Sequence, residues 1–125
     1  IVSNHLANLP ETQHIIRREH LLSMRDYSTF INTGRGAQLD ESELYELLTT
    51  KPTVTALLDV LTDEEHSDAS PLRALPNCFL TPHIAGSMGR EVRRMAAYMA
   101  DECGRWLRGE ALRYEVTREM LRTMA

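Results

Sequence analysis

Four short apolar runs punctuate the chain: Ile1 to Leu6, Thr29 to Thr33, Thr55 to Val60 and Cys78 to Thr81. They are rich in β-branched residues and show no clean polar alternation, the pattern of strands covered on both faces. Between them the spacing predicts helices over Arg18–Met24 and Glu41–Thr49, the second capped by Asp40 with Glu43 placed to close a capping box. Parallel neighbours need crossover connections, so alternating strand and helix predicts an α/β fold, a doubly wound parallel sheet with flanking helices.

The longest predicted helix is Glu91 to Arg108, with Val92, Met95, Ala96, Met99, Cys103 and Trp106 on one stripe and Gly109 as its stop. A stripe of this kind reads as a core face. The tail from Thr117 to Ala125 is a short, charged helix candidate.

Composition narrows the partners. A net charge of −4 over 125 residues arises from interleaved acids and bases, and without a basic block neither a nucleic acid nor an anionic membrane is expected as a partner. No apolar segment approaches the roughly 18 to 20 residues of a membrane span. Cys78 and Cys103 lack metal-ligand spacing and read as small core hydrophobes, which suits a reducing, cytoplasmic setting. The chain opens at Ile1-Val2 inside an apolar run, and the expectation is that the front of a longer protein precedes it.

Ligands of parallel sheets bind beyond the carboxyl ends of the strands, so the residues that follow each run carry the functional reading. After the second run comes INTGRG, where glycines flanking Arg35 allow a tight turn and leave a guanidinium fork suited to a carboxylate. After the third comes LLDVLTDEEH, where Asp59 ends an apolar stretch and requires a donor, and Glu64 follows in an acidic cluster. After the fourth comes TPHIAG, in which Pro82 stops the ladder and His83 falls at the strand end.

Taken singly, each has a plain structural explanation: a surface turn, a solvated acidic loop, a structural histidine. Together, at successive strand ends, they form a set for acid–base chemistry on a small carboxylate. The arginine holds the anion, the histidine moves a proton, and the carboxylate orients the imidazole and favours its charged form.

From IVSNHLANLPETQHII through FINTGRGAQLDESEL, ALLDVLTDEE and SPLRALPNCFLTPHIAGS to WLRGEAL, the chain resembles the carboxyl-terminal part of the D-isomer-specific 2-hydroxyacid dehydrogenases. The resemblance implies part of a Rossmann-like sheet, with residues 1–90 the second half of a dinucleotide-binding domain and 91–125 a helix and tail returning toward a substrate domain. It implies Arg35, Glu64 and His83 as catalytic residues, and His5, Thr33, Gly34, Asp59, Ala85 and Gly86 near the cofactor. NAD or NADP is the implied cofactor, NAD being favoured, and a small 2-oxo or 2-hydroxy acid is the implied substrate; a homodimer is implied as the assembly.

Three features depart from the family pattern. The chain has His5-Leu6-Ala7 where the family has histidine, an apolar residue and proline, and Glu65 where proline usually follows the catalytic glutamate. It holds no G-x-G-x-x-G, so as a separate molecule it is expected to be inactive. A cofactor-sensing binding protein resembling the family's corepressors is the alternative; relatives acting on formate are disfavoured because they carry an amide where Glu64 stands.

Overall fold

In a computed structural model, which describes residues 1–124, the chain divides into two compact units, Ile1–His83 and Ile84–Met124. The first contains strands β1 (Val2–Asn4), β2 (Thr29–Asn32), β3 (Thr55–Leu58) and β4 (Cys78–Leu80), with helices α1 (Arg18–Leu22) and α2 (Glu41–Thr50). The four strands are all parallel and lie in chain order. Each expected strand is present but ends one or two residues sooner than its apolar run; just after β1, the Leu6 N–H donates to Asn4 Oδ1.

Right-handed crossovers between strands laid down in one direction place their helices on one face, and α1 packs against α2. The core lies beneath them: Phe30, Ala56 and Cys78 from adjacent positions of β2, β3 and β4 meet Leu21 of α1 and Leu44, Leu47 and Leu48 of α2. The expectation of strands buried on both faces is corrected here. The row Ser3, Ile31, Leu57 and Phe79 points the other way, and Phe79 is 56% exposed because no helix of this unit covers that face.

Helix α2 starts where expected, but its cap differs. Asp40 accepts from the backbone N–H of Ser42 at 2.8 Å and from its hydroxyl at 2.6 Å, so Ser42 satisfies the cap in place of a box with Glu43. These bonds hold the Asp40 carboxyl below its usual range.

The second unit is built on α3 (Arg90–Leu107). Its end is a Schellman motif: Gly109 has φ of +69°, its N–H reaches the Trp106 carbonyl, and the Glu110 N–H reaches that of Arg105. The Glu102 carboxylate accepts from the backbone N–H groups of Arg113 and Tyr114 at 2.9 and 3.0 Å, and the rings of Tyr98 and Tyr114 lie 5.5 Å apart. The tail forms a single 3-10 turn at Met120–Arg122, and Ala125 lies outside the described residues.

The core reading of the α3 stripe is also corrected. Val92, Met95, Met99 and Trp106 are 53% to 70% exposed, and Ala96 and Cys103 are exposed with them. A lone helix with a short tail provides no second apolar layer. Cys78, by contrast, is buried as expected, and burial pushes its thiol up to about 11.

Candidate active site at the carboxyl ends of the strands

Parallel pairing brings the residues that follow β2, β3 and β4 to one edge. His83 follows β4 by three residues and adopts a left-handed φ of +52°, with its N–H on the Thr81 carbonyl. That conformation is uncommon outside glycine. Its Nδ1 lies 2.9 Å from Glu64 Oε2, both side chains being a little under half exposed.

Of the three adjacent acids, Glu64 is the one that reaches His83. Asp63 instead takes His66, accepting from its backbone N–H at 3.1 Å and lying 2.9 Å from its ring Nδ1, and these bonds hold the Asp63 carboxyl below its usual range.

Asp59, only 5% exposed, has the donor its burial requires: the Thr81 hydroxyl donates to its Oδ1. With Glu64, Arg73, Thr81 and His83 it lines a cavity of about 390 Å³. Arg73 escapes the sequence reading because it lies in a short 3-10 helix, Pro71–Ala74, that precedes β4 and follows no strand directly. Its guanidinium is held by the Ser67 carbonyl and by Asp68, each at 3.3 Å.

Arg35 lines a neighbouring groove of about 440 Å³ with Asn8, Thr62, Asp63 and Glu64, and Leu61 and Glu64 are walls common to both spaces. The Arg35 Nη1 donates to the Gly34 carbonyl at 2.8 Å, which bends the side chain along its own loop. Gly36 has a steric reason to be glycine: a Cβ there would come within 2.1 Å of the Leu61 backbone, where the Arg35 turn crosses the loop after β3.

Beneath the Arg35 turn lies a buried cluster of amides that the sequence reading passed over, Asn4, Asn32 and Gln38. Asn32 Oδ1 accepts from the Gly34 N–H and from Asn4, both at 3.0 Å, and its Nδ2 donates to the Arg35 carbonyl. Amides within or beside strand-like apolar runs were the available signal, since buried polar groups need partners.

His5 is exposed beside β2, its ring nitrogens 2.7 Å from the Ser3 hydroxyl and 3.0 Å from that of Thr33. Thr33, Gly34 and His5 therefore share one part of the edge. Ala85 and Gly86 belong to the second unit, where both are exposed and a Cβ on Gly86 would meet nothing within 4 Å. A nicotinamide carboxamide fits the chemistry present: its NH₂ group is a donor, and Asp59 is an ionisable acceptor at a strand end facing the cavity. Among the described residues no cluster of His, Cys, Asp and Glu could hold a metal, and no helix is long and apolar enough to cross a membrane.

A parallel α/β sheet with an imidazole–carboxylate pair and an arginine at its carboxyl edge is the frame of a Rossmann-like dehydrogenase domain. Residues 1–85 match the family described as D-isomer specific 2-hydroxyacid dehydrogenase, NAD binding domain, and the chain belongs to that family. It is 44% identical over 101 residues to glyoxylate/hydroxypyruvate reductase B of Pectobacterium carotovorum, covering 80% of this chain and 31% of that protein. It is 39% identical over 102 residues to glyoxylate reductase of Aeropyrum pernix, covering 82% and 30%.

Among solved structures it resembles D-lactate dehydrogenase with NAD+ from Lactobacillus jensenii. The TM-score is 0.82 at 27% identity, over 93% of this chain and 39% of that one. The chain spans 21% to 34% of the length of the first curated relatives it matches.

Proposed function

We propose that the protein carrying this chain is an NAD(P)-dependent oxidoreductase that interconverts a small D-2-hydroxy acid and the corresponding 2-oxo acid. The observation that carries this reading is the 2.9 Å contact between His83 Nδ1 and Glu64 Oε2, at the strand edge beside the Arg35 turn. When bound, the nicotinamide supplies the hydride that reduces C2, or accepts it in the reverse direction.

The chain's own residues do the rest. Glu64 holds Nδ1, which leaves Nε2 of His83 to give a proton to the C2 oxygen as the carbonyl becomes a hydroxyl, and to remove it in oxidation. Arg35 binds the substrate carboxylate through its planar fork. Asp59 accepts from the carboxamide and so fixes which face of the ring meets the substrate, while His5, Thr33, Gly34, Ala85 and Gly86 line the cofactor's path.

In the same reading residues 1–90 complete a dinucleotide-binding domain, residues 91–125 return toward a substrate domain, and two copies pair in the cytoplasm. Glyoxylate and hydroxypyruvate are the first substrates to try, given the relatives' names.

The test is a titration of the natural protein with NADH and NADPH in the presence of a panel of 2-oxo acids, followed by cofactor fluorescence and by absorbance. Oxidation of the cofactor with at least one acid is expected. Tight cofactor binding with no turnover across the panel would instead mark a cofactor-sensing binding protein.

A further inference from the structure

Gln38 is wholly buried and joins two segments far apart in sequence. Its Oε1 accepts from the Arg35 backbone N–H at 3.1 Å and from Asn4 Nδ2 at 2.6 Å. Its Nε2 donates to the carbonyls of Leu6 and Ala7, both at 2.9 Å. An amide offers two donor and two acceptor positions, so every one is used.

The partners also fix its orientation, since a flipped amide would set N–H against N–H and oxygen against two carbonyls. A methionine of similar length would satisfy neither side, and a glutamate only the acceptor side. Gly34 seats against the same atom: a Cβ there would fall 2.6 Å from Gln38 Oε1.

We propose that Gln38 is a positioning residue that sets Arg35 and the Leu6–Ala7 segment as one unit, so that the substrate-binding arginine and the segment following His5 are placed together. The functional half of this inference rests on the oxidoreductase reading above; the positioning half does not. A fully satisfied buried network admits one arrangement, which is the physical basis of the coupling.

The experiment compares wild type, Gln38→Met and Gln38→Glu in the natural protein. It reads the KM of a turned-over 2-oxo acid, kcat, the Kd of the nicotinamide cofactor, and amide hydrogen exchange at the Arg35 N–H. Gln38→Met should raise both the KM and the Kd by about tenfold or more with a smaller change in kcat, as expected for groups displaced without loss of the reacting residues.

Gln38→Glu keeps the acceptor for Arg35 and should leave the KM within about threefold while the Kd rises, a split that a purely structural residue would not give. Both constants unchanged in Gln38→Met, or both shifted in the same proportion by the two variants, would overturn the proposal.

If Gln38→Met does not fold, the split in Gln38→Glu decides. If the wild type turns over no 2-oxo acid, the oxidoreductase reading fails, and exchange alone decides the positioning. Faster exchange at Arg35 in Gln38→Met than in Gln38→Glu, or, where Gln38→Met does not fold, retention of wild-type protection in Gln38→Glu, supports it; equal exchange in the two variants, or lost protection in Gln38→Glu, overturns it.

Discussion

At the residue scale, chemistry and packing place different demands on adjacent positions of the Arg35 turn. Arg35 faces a groove, whereas Gly36 is pressed against the Leu61 backbone, and backbone cannot move aside as a side chain tip can. Gly36→Ala should therefore destabilise the fold by at least about 2 kcal/mol, within the range of overpacked sites, as read from denaturant midpoints. An unchanged midpoint would show that the two loops separate easily.

Cys78, with its thiol pushed up to about 11 by burial, should resist alkylation in the native protein at pH 8 and react only on unfolding. Alkylation at the rate of a free thiol would place it at the surface.

The site was legible at this scale where a residue type was unusual for its place. Arg35, Asp59 and His83 stood out just beyond strand ends, and the family resemblance singled out Glu64 from three adjacent acids; its carboxylate lies 2.9 Å from the imidazole of His83. Gln38 and Asn4 did not stand out, because an amide in a sequence looks the same whether it solvates a loop or knits two loops together; only the distance between segments 31 to 34 residues apart shows which.

At the element scale, helix α2 contributes three buried leucines to the core, Leu44, Leu47 and Leu48. Leu44 and Leu47 are at 0% exposure, and truncating either to alanine should cost about 2–5 kcal/mol, measured by chemical denaturation. Asp40→Ala should cost about 1 kcal/mol through loss of the cap.

The pH dependence of that cap follows from the depressed Asp40 carboxyl. A group bound as the anion in the folded state stabilises above its unfolded value near 3.9 and loses that contribution as pH falls through its lower folded value. The difference between wild type and Asp40→Ala should accordingly be present at pH 7 and shrink below about pH 4. A difference that persists undiminished at pH 2 would mean that the carboxylate charge plays no part in the cap.

Strand and helix existence was readable from the apolar runs because β-branched clusters and capping residues act locally. Which side of the sheet is covered was not, since the runs are apolar on both faces while the helices of this unit cover one.

At the scale of the whole molecule, the open row Ile31, Leu57 and Phe79 and the exposed stripe of α3 share one origin. Both were written as buried faces, and neither finds its second layer within its own unit. Periodicity reports that a face is apolar, not what covers it.

The fold places the His83–Glu64 pair at the edge where parallel sheets bind ligands, and the family to which the chain belongs is described as an NAD binding domain. The measurement that bears most directly on this reading is the steady-state rate of 2-oxo acid reduction by the natural protein, wild type against His83→Asn, with cofactor binding checked in both. The expected result is a fall in kcat of about 10²–10⁴-fold with cofactor affinity kept, the range for loss of a general acid. A variant that turns over at the wild-type rate would contradict the role given to His83.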